Sequence, residues 1–168
     1  MPRILSVDWG ERRIGLAVSD PTGTIATGLD TVVARSPAEG VRLVTECAAE
    51  VEADSIVVGL PLLLSGERGT AAEAASAFAQ ALRVATGLPV HEYDERLTSA
   101  LSTRRMHELG ENTGKGHSHG KSHSKGKSKG KERVDQGAAI ALLESWLLKL
   151  SYDRRRAQEA AAPPEDES

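Results

Sequence analysis

The chain has 168 residues, 39% of them hydrophobic and 27% charged, which favours one domain with a core large enough to need no staples. Only 3% are aromatic, so the core must come from Val, Leu, Ile and Ala, and a surface that stacks single-stranded bases on rings is disfavoured. The net charge of −3 is divided unevenly: residues 115–133 hold seven basic residues against Glu132, a net of +6, which leaves −9 on the rest of the chain.

Residues 3–9 and 13–19 read as strands joined by a tight turn at Gly10-Glu11-Arg12, hence a hairpin. Residues 25–34 read as a third, antiparallel strand. Ser36-Pro37-Ala38-Glu39 is a capping box with proline at the first helical position, and Val41, Val44, Ala48 and Val51 carry that helix to about residue 52. Residues 55–60 form a short continuous apolar run, as a buried parallel strand does. The loop that follows holds Gly66 to Gly69, expected to be mobile. Thr70-Ala71-Ala72-Glu73 reads as a second capping box, with Ala71, Ala75, Phe78, Leu82 and Ala85 as the buried stripe. Gly87 and Pro89 stop that helix, residues 88–93 form the next strand, and 98–109 the next helix.

Residues 111–133 are low-complexity Gly, Ser, Lys and His with nothing to bury, and are expected to be disordered. A last, well-buried helix begins near Asp135 and carries Ala139, Leu143, Trp146 and Leu150. Residues 151–168 read as a frayed acidic tail, so the domain is expected to span 1–150. The expected fold is α/β: a mixed five-stranded sheet, made of a three-strand antiparallel meander plus two parallel strands, with helices on both faces. The lone Cys47 fits a reducing compartment, and no stretch reaches the length of a membrane span. The expectation is a cytoplasmic protein that touches no membrane.

Asp8, Glu95 and Asp135 each have an ordinary reading: a turn residue, a solvated strand end and a helix cap. Together they carry more. Parallel strands share one carboxyl edge, where sites form; the fifth strand delivers Glu95 there, and the first delivers Asp8 there if it runs parallel to the fourth and fifth. A helix starting at that edge brings Asp135. Three converging carboxylates repel unless a cation sits among them, and hard oxygen ligands select Mg²⁺ or Mn²⁺. Two such ions would activate water and stabilise the leaving oxygen in phosphodiester cleavage. Arg12 and Arg13 at the turn, and Lys121, Lys125, Lys127, Lys129 and Lys131 in the basic segment, are candidate phosphate contacts. His117, His119 and His123 match no closed zinc site and suggest adventitious metal binding at most.

The segments VDWGERRIGLAVSD (7–20), VVGLPLLLSGERGTAAEA (57–74), DERLTS (94–99) and VDQGAAIALLESWL (134–147) resemble the YqgF family of pre-16S rRNA nucleases, also described as Holliday junction resolvase-like. The resemblance runs from residue 3 to about 150. It implies an RNase H-like fold, Asp8, Glu95 and Asp135 as the acidic site with Asp94 as a possible further ligand, and trimming of the 5′ end of the small-subunit ribosomal RNA precursor. Implied partners are that RNA and pre-ribosomal particles, or branched DNA, acted on by a monomer or homodimer. The long basic segment departs from the family's shorter loop. Two other classes remain in view. A non-catalytic RNA-binding assembly factor would lack metal-dependent turnover. A phosphotransferase, suggested by the likeness of Asp8-x-Gly10 to the actin and sugar-kinase phosphate motif, would bind ATP, but no second such hairpin follows.

Overall fold

A computed structural model describes residues 2–96 and 127–161, with the backbone alone for 127–134. The sheet holds β1 (Ile4–Asp8), β2 (Arg13–Ser19), β3 (Ala26–Val33), β4 (Ser55–Leu60) and β5 (Val90–Asp94), in the order β3-β2-β1-β4-β5. β1 with β2 and β2 with β3 are antiparallel, and β1 with β4 and β4 with β5 are parallel. This is the expected meander joined to a parallel half.

Alternation along the strands sorts residues to two faces. Leu5, Val7, Ile14, Leu16, Ile56 and Val58 meet α1 (Pro37–Glu50) and α2 (Thr70–Thr86) in one core. Ile4, Ala17, Val57 and Tyr93 meet α3 (Lys127–Ala161) in the other, through Ala139, Leu142, Leu143, Trp146 and Leu147. The α3 face of the sheet mixes these with small residues. Gly15 and Ala17 on β2, Gly28 on β3 and Ser6 on β1 let the helix lie close, and the Ser6 hydroxyl donates to the Ala139 carbonyl at 2.7 Å.

α1 is capped as expected: the Ser36 hydroxyl accepts from the Glu39 N–H, while the Glu39 carboxylate reaches back to the Arg35 N–H at 2.7 Å. α2 differs. Its cap is Gly69, with no side-chain cap bond, and Thr70 is already helical. Its buried stripe is Ala72, Ala75, Phe78, Ala79 and Leu82, so the expected Ala71 and Ala85 face solvent. Gly87 ends α2 in the left-handed region at φ 69°, as its position predicts.

α3 corrects the reading of the chain's end in two places. Residues 127–133, expected in the disordered segment, are its first turns, and 151–161, expected in the tail, are its last. Lys, Arg, Glu, Gln and Ala are good helix formers, and a helix nucleated by its packed middle propagates into such flanks. The whole of 151–161 is exposed. The expected helix at 98–109, most of the basic segment and the end of the tail lie outside the described residues.

Candidate metal centre

Asp8 is the last residue of β1 and stands opposite Gly15 on β2. β5 runs parallel to β4 with Leu60 beside Asp94, and the next residue, Glu95, donates its N–H to the Leu60 carbonyl at 3.3 Å. The chain therefore turns at the carboxyl edge of the parallel half and lays Glu95 back across the end of β4. Gly59 makes room for it: a Cβ there would stand 2.4 Å from Glu95 Oε1. The Glu95 and Asp8 carboxyls lie in side-chain hydrogen-bond contact, which raises Glu95 and lowers Asp8.

Burial is the largest cause raising both acids. For Asp8 the contact with Glu95 lowers and the charge of Asp135 raises, and burial prevails. Glu95 is raised further by the charge of Asp8, and is pushed up to about 7. Two half-buried carboxylates in contact disfavour ionising together, so the proton is held more tightly on Glu95.

Asp135 comes from α3. It lies in the third turn, not at the start of the helix, so the capping role is ruled out. Its carbonyl presses on β2: a Cβ on Gly15 would stand 2.3 Å from that oxygen. The next residue fixes the helix to β3, with Gln136 donating to the Leu29 carbonyl at 2.9 Å. Its carboxylate accepts from Arg13 Nε at 2.6 Å. Arg13, read from sequence as a phosphate contact, is therefore engaged with a candidate ligand, whereas Arg12 is exposed at the turn.

Asp94 is taken by Arg96, which donates to both carboxylate oxygens, with Nη2 at 2.7 Å. That guanidinium holds Asp94 below the ordinary aspartate range. Arg96 also donates to the Leu63 carbonyl and lies against Gly66, whose φ of +87° suits glycine. The loop expected to be mobile thus closes on itself, with Gly66 N–H donating to Leu63 at 2.8 Å, and Arg96 ties it to the site. Lys121, Lys125, His117, His119 and His123 fall outside the described residues, as do the side chains of Lys127, Lys129 and Lys131.

Among the described residues no three acidic, His or Cys side chains are gathered closely enough to hold a metal as they stand. The donor set nonetheless fits a hard cation. It is all oxygen, and its members are already compensated by positive charge, a proton on Glu95 and a guanidinium on Asp135. Sequence reasoning missed Arg13 as the partner of Asp135, and Gly15 as the clearance for the helix that carries it. A glycine inside a strand is a signal of close approach, but it does not say what approaches.

A family model described as "RuvX: Holliday junction resolvase" matches residues 2–149. The chain belongs to the RuvX family. Among curated relatives, a Koribacter versatilis protein is 38% identical over 152 residues, covering 90% of each chain. One from Rhodococcus opacus is 38% identical over 150 residues, covering 86% of this chain and 76% of the relative. Both bear the name "Putative pre-16S rRNA nuclease". Among solved structures, Thermus thermophilus RuvC in complex with a Holliday junction substrate aligns with 89% of this RuvX-family chain and 96% of its own, at a TM-score of 0.51 and 17% identity. That likeness shows the RNase H-like fold. No helix among the described residues is long and apolar enough to cross a membrane.

One consequence of the tightly held proton is thermodynamic. Glu95 ordinarily titrates at 4.5 and here near 7, so the folded state holds its proton more tightly than the unfolded state. The stabilisation is fully present below about pH 4.5 and is lost as pH rises through about 7. In metal-free buffer, Glu95→Gln removes that dependence. Its melting temperature is expected to gain on that of the native chain between about pH 5 and about pH 8, read by thermal denaturation in EDTA. A constant difference across that range would show that folding does not raise Glu95.

Proposed function

We propose that this chain is a divalent-metal-dependent phosphodiester nuclease of the cytoplasm that processes the 5′ end of pre-16S rRNA, with Asp8, Glu95 and Asp135 as the metal-holding carboxylates. The observation that carries the reading is that the half-buried Asp8–Glu95 pair and Asp135 stand at one edge of the sheet, with the charge of Asp135 raising Asp8. Burial of such a set is costly, and catalytic use offsets what stability loses. Mg²⁺ or Mn²⁺, in a two-ion arrangement, would supply water activation and charge stabilisation at the leaving oxygen.

The chain's own residues do the rest. Asp8 and Glu95, in contact at the end of β1 and after β5, would hold the cation between them. Gly59 and the turn after β5 fix where Glu95 reaches. Asp94 orients Arg96, which holds the 61–69 loop beside the site. Arg12 is exposed at the hairpin turn, next to the end of β1, where a phosphate can meet it. Lys121, Lys125, Lys127, Lys129 and Lys131 add a sequence-independent attraction for the backbone that the acidic body lacks.

Branched DNA is the second reading, favoured by the description of the family model. The experiment compares pre-ribosomal small-subunit particles with a four-way DNA junction, each incubated with the purified chain and Mg²⁺ or Mn²⁺. Expected is a shortened RNA 5′ end, mapped by primer extension, with the junction intact. Paired nicks in the junction with the RNA unchanged would establish the second reading. Cleavage of neither would leave an assembly factor without turnover.

A further inference from the structure

The charge balance of the site singles out Arg13. Asp8, Glu95 and Asp135 would carry three negative charges if ionised, and the Arg13 guanidinium lies on Asp135 at 2.6 Å. A divalent ion among the carboxylates would make it redundant there. Arg13 is the first residue of β2, so its guanidinium stays tethered at the same edge of the sheet. It is partly accessible, with side-chain exposures of 26% for Arg13 and 21% for Asp135, so the pair is not sealed. Meanwhile α3 is held in place without it, by the Gly15 contact, the Gln136 bond to Leu29 and the Ser6 bond to Ala139.

Resting on the metal reading above, we propose that Arg13 and the bound divalent cation exchange for Asp135: Arg13 holds the carboxylate in the metal-free protein, and metal loading releases the guanidinium to bind a substrate phosphate. A guanidinium suits both states, because its planar fork matches carboxylate and phosphate alike. The exchange makes phosphate binding follow metal loading and keeps the empty site from holding substrate. It makes Arg13 a substrate-binding residue that is masked until the metal is present.

Two measurements on the full chain test it. The first is Mn²⁺ binding by calorimetry. Arg13→Gln removes a competitor and a like charge, so Mn²⁺ should bind more tightly, by about fivefold, with Arg13→Lys in between. If Arg13 instead only positions Asp135, the glutamine variant binds Mn²⁺ more weakly, which would overturn the exchange. The second follows the Arg13 Nε–H resonance by NMR, assigned by its loss in Arg13→Lys, during a Mg²⁺ titration. It should move toward the solvent-exposed position with the midpoint of Mg²⁺ binding. Mg²⁺ saturation with an unmoved resonance would sink the exchange while leaving the metal centre standing. No Mg²⁺ or Mn²⁺ binding by the native chain would refute the metal centre itself, and the exchange with it.

Discussion

Replacing Asp8 with asparagine is expected to abolish metal-dependent phosphodiester cleavage, a loss of about a thousandfold or more, while the fold survives. The loss is large because Asp8 is the member of the site that meets both others. It touches Glu95 and feels the charge of Asp135. The fold survives because asparagine keeps the carbonyl oxygen that can accept from Glu95 and removes a half-buried charge. Melting temperature in EDTA should therefore hold steady or rise.

Asp20→Asn is the matched control. Asp20 closes the turn between β2 and β3, accepting from Thr24 N–H at 2.7 Å and Ile25 N–H at 2.8 Å, and these bonds hold it well below the usual aspartate range. There the substitution should cost stability and spare cleavage. The two assays, melting and turnover, thus respond oppositely at the two aspartates. Full turnover by a well-folded, contaminant-free Asp8→Asn protein would refute the site.

What the sequence exposed and what it hid divide along physical lines. β1, β2 and β4 were legible because apolar runs broken by a glycine turn or a capping box leave little freedom, and β2 and β4 run over the residues expected. The stripe of α2 slipped because alanines occupy 71, 72, 74 and 75, so periodicity has no contrast to fix its phase. The start of α3 was misplaced because low complexity hid residues that extend a helix once its neighbours pack. Asp8 and Glu95 stood out as carboxylates at strand ends facing one edge. The partner of Asp135 did not, because Arg13 lies 122 residues away and only the fold brings them together.

Gly15→Ala is expected to be the most damaging added methyl among the glycines of the described residues. The added Cβ would lie 2.3 Å from the Asp135 carbonyl oxygen and 2.9 Å from its carbon. Those are backbone atoms of a helix, so no rotamer relieves the contact and α3 must move as a body. Moving it disturbs the core around Leu142, Leu143 and Trp146, the Ser6 bond to Ala139 and the Gln136 bond to Leu29. Overpacking of this kind costs about 1–3 kcal/mol, or a fall of about 3–10 °C in melting temperature at this chain length. It also carries Asp135 away from Asp8, and a misplacement of about 1 Å can cost about a hundredfold in turnover. Gly59→Ala separates the two effects. Its Cβ would meet only the carboxylate end of Glu95, at 2.4 Å, a flexible group that can swing aside. Turnover should fall, because Glu95 turns from Asp8, while the melting temperature changes by no more than about 2 °C. Melting curves and single-turnover cleavage on the two variants decide the matter. A Gly15→Ala protein with native melting and native turnover would mean that α3 does not press on β2, and that Asp135 reaches the site by some other route.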